Sequence, residues 1–229
     1  MSIAARQILA VDGGASLPYD SEVEYIEGTI TQWIDTGVDY WCDFEITCRT
    51  ESSNNSVYLI GNAARSSLSA ISSTQYHFGN TNRSFKRITA NVYDEWHTLK
   101  WKDDEIRIDG VLKATFQKDE TITGRVYVFG YSGSYGYPAR VSALKLWDTE
   151  GNLIHDSYSV RVGNAGYLYD RVSGSLFGSA TSDAFVAGPD GVPMTGGGYE
   201  PQCIKTSHRR SAPPSARFWR HSQEWEVAA

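Results

Sequence analysis

Three glutamates in one short run, Glu22, Glu24 and Glu27, are the sharpest catalytic possibility in the chain. Two carboxyl groups flanking a glycosidic bond can act as nucleophile and acid/base in sugar hydrolysis. On an extended strand Glu22 and Glu24 share a face, and a bulge could turn Glu27 toward them. The plainer reading, a solvated edge strand guarded by charge, outweighs it. His77, His97 and His155 lie far apart with no acid at metal-ligand spacing, so each is expected to be a strand residue. Asp103, Asp104 and Asp109 are the acids a Ca²⁺ ion would use, yet Asp beside a hairpin is normally a turn former. No cofactor or metal is therefore expected. The chain has no serine nucleophile elbow, phosphate-cradling glycine loop or zinc-type cysteine pair. The chemistry on offer is binding, and the expectation is a protein that is not an enzyme.

Two stretches carry that expectation. Residues 130–138 read GYSGSYGYP, an uncharged loop holding Tyr131, Tyr135 and Tyr137. Aromatic rings stack on sugar faces while their hydroxyls bond sugar hydroxyls, and small neighbours let a ligand approach. Asn80 and Asn82, in another loop, would add amide contacts if they lie at the same end. The second stretch is the tail, where Arg217, Phe218, Trp219, Arg220 and Trp225 follow Pro213-Pro214. Large aromatics are costly to leave bare, so this segment is expected to dock on the body, on another copy or in a larger assembly.

Strands must position these groups. Turn signals recur every 8–12 residues from 22 to 188 with no helical period between them, which predicts an all-β antiparallel sandwich or jelly roll. The densest part is 140–178, read as four strands separated by three turns. In its first strand Ser142, Leu144 and Leu146 fall on one face and Val141, Ala143, Lys145 and Trp147 on the other. Residues 41–48 alternate Trp41, Asp43, Glu45, Thr47 against Cys42, Phe44, Ile46, Cys48, one face polar and one apolar. Further on, EWHTLKW, EIRI and VLKATF form a meander whose Asp109-Gly110 step is a strong hairpin signal. The division expected is an N-terminal arm (1–21), a sandwich (22–190), and a linker with a basic, aromatic tail (191–229).

Composition narrows the class. The 229 residues include 14 Tyr, 7 Trp and 21 Gly, tilting the chain toward strands and turns, and its length supports a core without staples. The net charge is −6; the tail from 196 onward carries +2 of it, leaving −8 on the rest. An acidic body argues against sequence-independent nucleic-acid binding. Cys42 and Cys48 stand six apart in one strand, roughly 20 Å, too far for a disulfide. An odd count of three cysteines without a plausible pair suggests a reducing compartment of synthesis. No apolar run has signal-peptide or membrane-spanning character, so neither secretion nor membrane insertion is expected.

YIEGTITQWIDTG, EWHTLKWKDDEIRIDGV and LKLWDTEGNLIHDSYSVRVGNAGYLYDRVSGSLFG resemble concanavalin A-like, laminin-G-type jelly-roll domains. They are most similar to the version found in tail, fibre and surface proteins of bacteriophages and gut bacteria. The resemblance covers about 22–190, and LYDRVSGSLFG is its most specific part. It implies two stacked antiparallel sheets, one of them concave. Glycosidases of that fold usually carry Asp as the middle acid, where this chain has Glu24. The expectation is thus a virion fibre, decoration or appendage protein with a lectin-like domain. It would be made in the host cytoplasm and would partner other virion proteins, further copies of itself and a cell-surface glycan. A bacterial carbohydrate-binding module is the alternative, and a jelly-roll glycoside hydrolase a lesser one.

Overall fold

The computed structural model describes residues 16–51, 57–64, 66–81, 84–119, 121–131 and 138–194, with only the backbone of 80 and 81. In chain order the strands are β1 (Ser21–Glu22), β2 (Ile26–Gly28), β3 (Ile34–Asp35), β4 (Asp43–Thr50), β5 (Val57–Asn62) and β6 (Ser67–Ser72). Then come β7 (Gln75–Thr81), β8 (Ser84–Thr89), β9 (Trp96–Lys102), β10 (Glu105–Ile108), β11 (Val111–Thr115) and β12 (Val126–Val128). The last five are β13 (Ala139–Trp147), β14 (Leu153–Val162), β15 (Ala165–Asp170), β16 (Ser175–Phe177) and β17 (Phe185–Ala187). No helix occurs among the described residues.

These strands form two antiparallel sheets. The larger has eleven strands in the order β1-β14-β15-β17-β2-β13-β4-β9-β10-β11, with β16 on β15 and β13 also pairing β14. The smaller has six, β3-β12-β5-β6-β7-β8. The predicted all-β sandwich is the fold. Alternation explains it: Phe44, Ile46 and Cys48 on β4 and Leu99 and Trp101 on β9 turn inward against Tyr76 and Phe78 on β7, all fully buried. Phe44 and Phe78 stack across the layers at 6.4 Å and 3°. Burial of each such side chain contributes roughly 2–3 kcal/mol. Cys42 and Cys48 are free and buried, and burial pushes the Cys42 thiol up to about 12, so neither is poised to react.

Three strand readings change. Trp41 is not on the polar face; it precedes β4 and lies fully buried against Phe44 and Trp101, because the alternating strand begins only at Asp43. A register shift between Val141 and Ala143 inserts Ser142 as an extra residue in β13. That bulge reverses the alternation at one point, so Val141 turns into the core while Ala143, Lys145 and Trp147 face out. Finally β8, at 84–89, was not foreseen. It is an edge strand exposed over most of its length, and its sequence SFKRIT carries no inward–outward alternation to read.

The hairpins follow the sequence closely. Asp109 and Gly110 both take positive φ, 53° and 78°, as a two-residue type I′ turn requires. Asp103 and Asp104 do the same at 51° and 61°. The closing turn is organised by Asp170, which is fully buried. Its carboxylate accepts hydrogen bonds from the backbone N–H groups of Asp156 (2.8 Å), Val172 (3.2 Å) and Ser173 (3.0 Å) and from the Ser173 hydroxyl (2.7 Å). Burial works to raise its pKa, but these donors outweigh it and hold the carboxyl below its usual value.

Candidate functional site

The outer face of the larger sheet carries a groove of about 930 Å³. Its floor is one registered row across four strands: Tyr158 lies opposite Ala143, Ala143 opposite Thr47, and Thr47 opposite Thr98, with Tyr169 opposite Tyr158 just outside the lining. Small side chains in the middle of that row open the groove, and the Thr47 and Thr98 hydroxyls meet at 2.9 Å. The row ends at the Asp109-Gly110 turn, where the carboxylate of Asp109 binds the Thr98 N–H (2.9 Å) and His97 Nδ1 (2.7 Å).

One wall is the next row, and it consists of charges. Asp156 is opposite Lys145, Lys145 opposite Glu45, Glu45 opposite Lys100, and Lys100 opposite Arg107. Every cation in it has an acid: Arg171 binds Asp156 at 2.7 Å, Lys145 and Lys100 both reach Glu45 at 3.3 and 3.2 Å, and Arg107 binds Glu105 at 2.7 Å. Lys100 and Lys102 also lie over the Trp147 ring at 5.1 and 5.5 Å.

The opposite wall is the segment Val192, Pro193 and Met194. It is held along 22–24: Gly191 N–H donates to the Glu22 carbonyl, Met194 N–H to the Glu24 carbonyl, and the bulged Ser142 hydroxyl to the Met194 carbonyl at 2.7 Å. One end is aromatic. Tyr19, Tyr158 and Tyr169 pack with centroids 5.1–6.1 Å apart, the Tyr19 and Tyr158 hydroxyls bond at 2.7 Å, and Arg171 lies over the Tyr158 ring. Burial raises the pKa of Tyr19 and Tyr158, keeping both as hydroxyl donors. Glu22 also lines the groove; burial raises its carboxyl, and Arg171 opposes that.

The glutamate run does not form one strand. Glu22 belongs to β1 and pairs with β14, whereas Glu27 belongs to β2 and pairs with β13, where Arg140 binds it at 2.9 Å. Glu22 and Glu27 therefore belong to two different strands and not to one bulged strand. Asp103 and Asp104 sit at one end of β10 and Asp109 at the other, each in turn or strand hydrogen bonds. Among the described residues no three His, Cys, Asp or Glu converge as a metal cluster. His77, His97 and His155 are on β7, β9 and β14.

Of the tyrosine loop, Tyr131 is described, packed on Tyr58 with centroids 4.4 Å apart and directly over Gly61, where a Cβ would come within 2.6 Å. Tyr58 faces away from the core on the smaller sheet, so Tyr131 stands on the opposite side of the sandwich from the groove. Asn80 contributes only its backbone, to β7, while Asn82, Tyr135 and Tyr137 lie outside the described residues, as do Arg217, Phe218, Trp219, Arg220 and Trp225. The groove residues themselves were absent from the sequence reading as a site. Its strands were recognised as having a polar face, but not which polar residues would stand side by side. No helix of the described residues is long and apolar enough to cross a membrane.

No family model matches the chain, and no curated protein matches it either. Solved structures do. One is the CBM40 of the Ruminococcus gnavus IT-sialidase bound to alpha2,3 sialyllactose, at 18% identity and TM-score 0.40, covering 54% of this chain and 89% of that one. The same module bound to alpha2,6 sialyllactose matches at 18% identity and TM-score 0.36, covering 52% and 89%. A putative carbohydrate binding protein from Bacteroides ovatus matches at 12% identity and TM-score 0.46, covering 72% of this chain and 62% of that one.

Proposed function

We propose that this chain is a carbohydrate-binding module that seats a glycan in the groove on its larger sheet. The observation that carries the reading is the composition of one groove: the Tyr158 ring at one end, backed by Tyr19 and Tyr169, hydroxyls on the floor and ion pairs along a wall. Rings cover the apolar faces of a sugar, and hydroxyls and fixed charges exchange hydrogen bonds with its rim. Apart from Glu22, the groove carboxylates are occupied: Glu45 by two lysines, Asp156 by Arg171, Asp109 by His97 and a backbone N–H. Sugar hydrolysis in its usual form needs two free carboxyl groups across the bond, so the groove favours binding over catalysis. Titration of an array of oligosaccharides by calorimetry tests this. Binding that weakens about tenfold in Tyr158→Ala supports it; no binding to any oligosaccharide, or binding untouched by that change, overturns it.

The setting we propose is the one to which the sequence resemblance points, a phage particle in which the module contacts a host glycan. The basic, aromatic tail on an acidic body supports it as a docking segment. Removal of 196–229 should leave glycan binding intact and abolish incorporation into particles; normal incorporation would refute the docking role. A second glycan contact at Tyr131, Tyr135 and Tyr137, with Asn80 and Asn82, is separable by the double change Tyr135→Ala/Tyr137→Ala. That variant should weaken avidity for multivalent glycans without touching the groove.

A further inference from the structure

We infer that Glu45 sets the specificity of the groove, and that the ligand it admits is a neutral glycan chain rather than an acidic one; this rests on the groove being the glycan site. Lys145 and Lys100 approach Glu45 from the two neighbouring strands, one on each carboxylate oxygen, at 3.3 and 3.2 Å. Two ammonium groups so spaced would clamp a ligand carboxylate or sulfate, and the protein has put its own carboxylate there. Glu45 belongs to the sheet and cannot leave, so an acidic sugar meets a position already filled by like charge. The rest of the wall repeats the arrangement. Arg171 is committed to Asp156 and lies over Tyr158, and Arg107 is bound to Glu105 and to the Gly110 carbonyl at 3.0 Å.

Counting the charged residues that line the groove gives the same answer. Lys100, Lys145, Arg107 and Arg171 are balanced by Glu22, Glu45, Asp109 and Asp156, so an anion gains no net attraction on entering. A neutral chain gives up nothing of this. Its hydroxyls can donate to Glu45 and Asp156 and accept from the lysines without breaking a pair, since each charged group retains free hydrogen-bonding capacity.

The experiment uses the whole chain, with cellohexaose, maltohexaose and lacto-N-hexaose as neutral probes and hexagalacturonate and sialylated lacto-N-hexaose as acidic ones. The wild type should bind at least one neutral probe about tenfold or more tighter than any acidic probe. Glu45→Gln should raise affinity for an acidic probe about tenfold, with low added salt. The triple change Glu45→Gln/Lys100→Met/Lys145→Met should cancel the gain, and a thermal melt establishes that each variant is folded. If the wild type prefers an acidic probe, or folded Glu45→Gln gains nothing, Glu45 is not the determinant and the groove itself still stands. If no probe binds any folded variant, the groove reading falls and takes this inference with it.

Discussion

Two carboxylates on the same sheet are used in opposite ways. Asp170, at the end of β15, is fully buried and receives four hydrogen bonds, three from backbone N–H groups and one from the Ser173 hydroxyl. Glu45, in the groove wall, is about a quarter exposed and is held by two lysine side chains on flexible stems. Backbone donors are fixed by the fold, so Asp170 in turn fixes the path of the closing turn, and nothing from outside can compete for it. Ammonium groups on mobile stems leave room for exchange, so Glu45 contributes little to the fold, and the part we propose for it is in what the groove accepts. A carboxylate held by backbone is architecture; one held by side chains at a surface is available for recognition.

The largest test removes the first. Asp170→Ala strips four donors of their acceptor at a buried site, and about 3 kcal/mol of stability should go with it. For a chain of this size that is a fall in melting temperature of roughly 10 °C, readable by circular dichroism. Glycan affinity measured well below the transition should be unchanged. Removing a ring from the groove should do the reverse: Tyr158→Ala costs about tenfold in affinity by calorimetry with a small change in melting temperature. Glu45→Gln should alter stability by less than about 1 kcal/mol, because partly exposed ion pairs contribute little. If Glu45→Gln destabilised the protein as much as Asp170→Ala, the distinction between the two carboxylates would be lost.

Acid sharpens the contrast further. Burial lowers the pKa of His155, with Asp170 3.5 Å away opposing the shift. Its folded pKa is below the unfolded one, so stability falls as pH drops through the ordinary histidine range, about 6.5, where only the unfolded chain takes up the proton. Asp170 is also lowered, so its contribution is full above the unfolded carboxyl value, about 4, and is lost as pH falls through the lower folded value. His77 is lowered too, by burial and by Arg87, so denaturant melts across pH 7 to 3 should show a first loss that His155→Phe reduces and a second that remains. A single step near pH 4 in the wild type would show that His155 takes no part.

How much of this was legible depended on range. The closing turn could be read because Asp170, Ser173 and Gly174 act within five residues of one another. The hairpins at Asp103–Asp104 and Asp109–Gly110 were equally local. Even so, one inserted residue, Ser142, reversed the facing of Val141, because period-two alternation holds only while the register does. The strand at 84–89 escaped notice since an edge strand exposed on both faces has no pattern to show. The glutamate run looked like one strand, and only the pairing of its halves with different partners revealed two.

By itself the sequence determined the all-β class, most strands and turns, and which side chains face inward on β4. All of these follow from alternation and turn chemistry inside short windows. It could not determine the groove. Thr47 meets Thr98 across 51 residues, and Lys145 meets Glu45 across 100. Those pairings depend on strand order and register, which are set by how two sheets bury their apolar faces together. Tertiary structure alone decided that Glu45 would stand between two lysines.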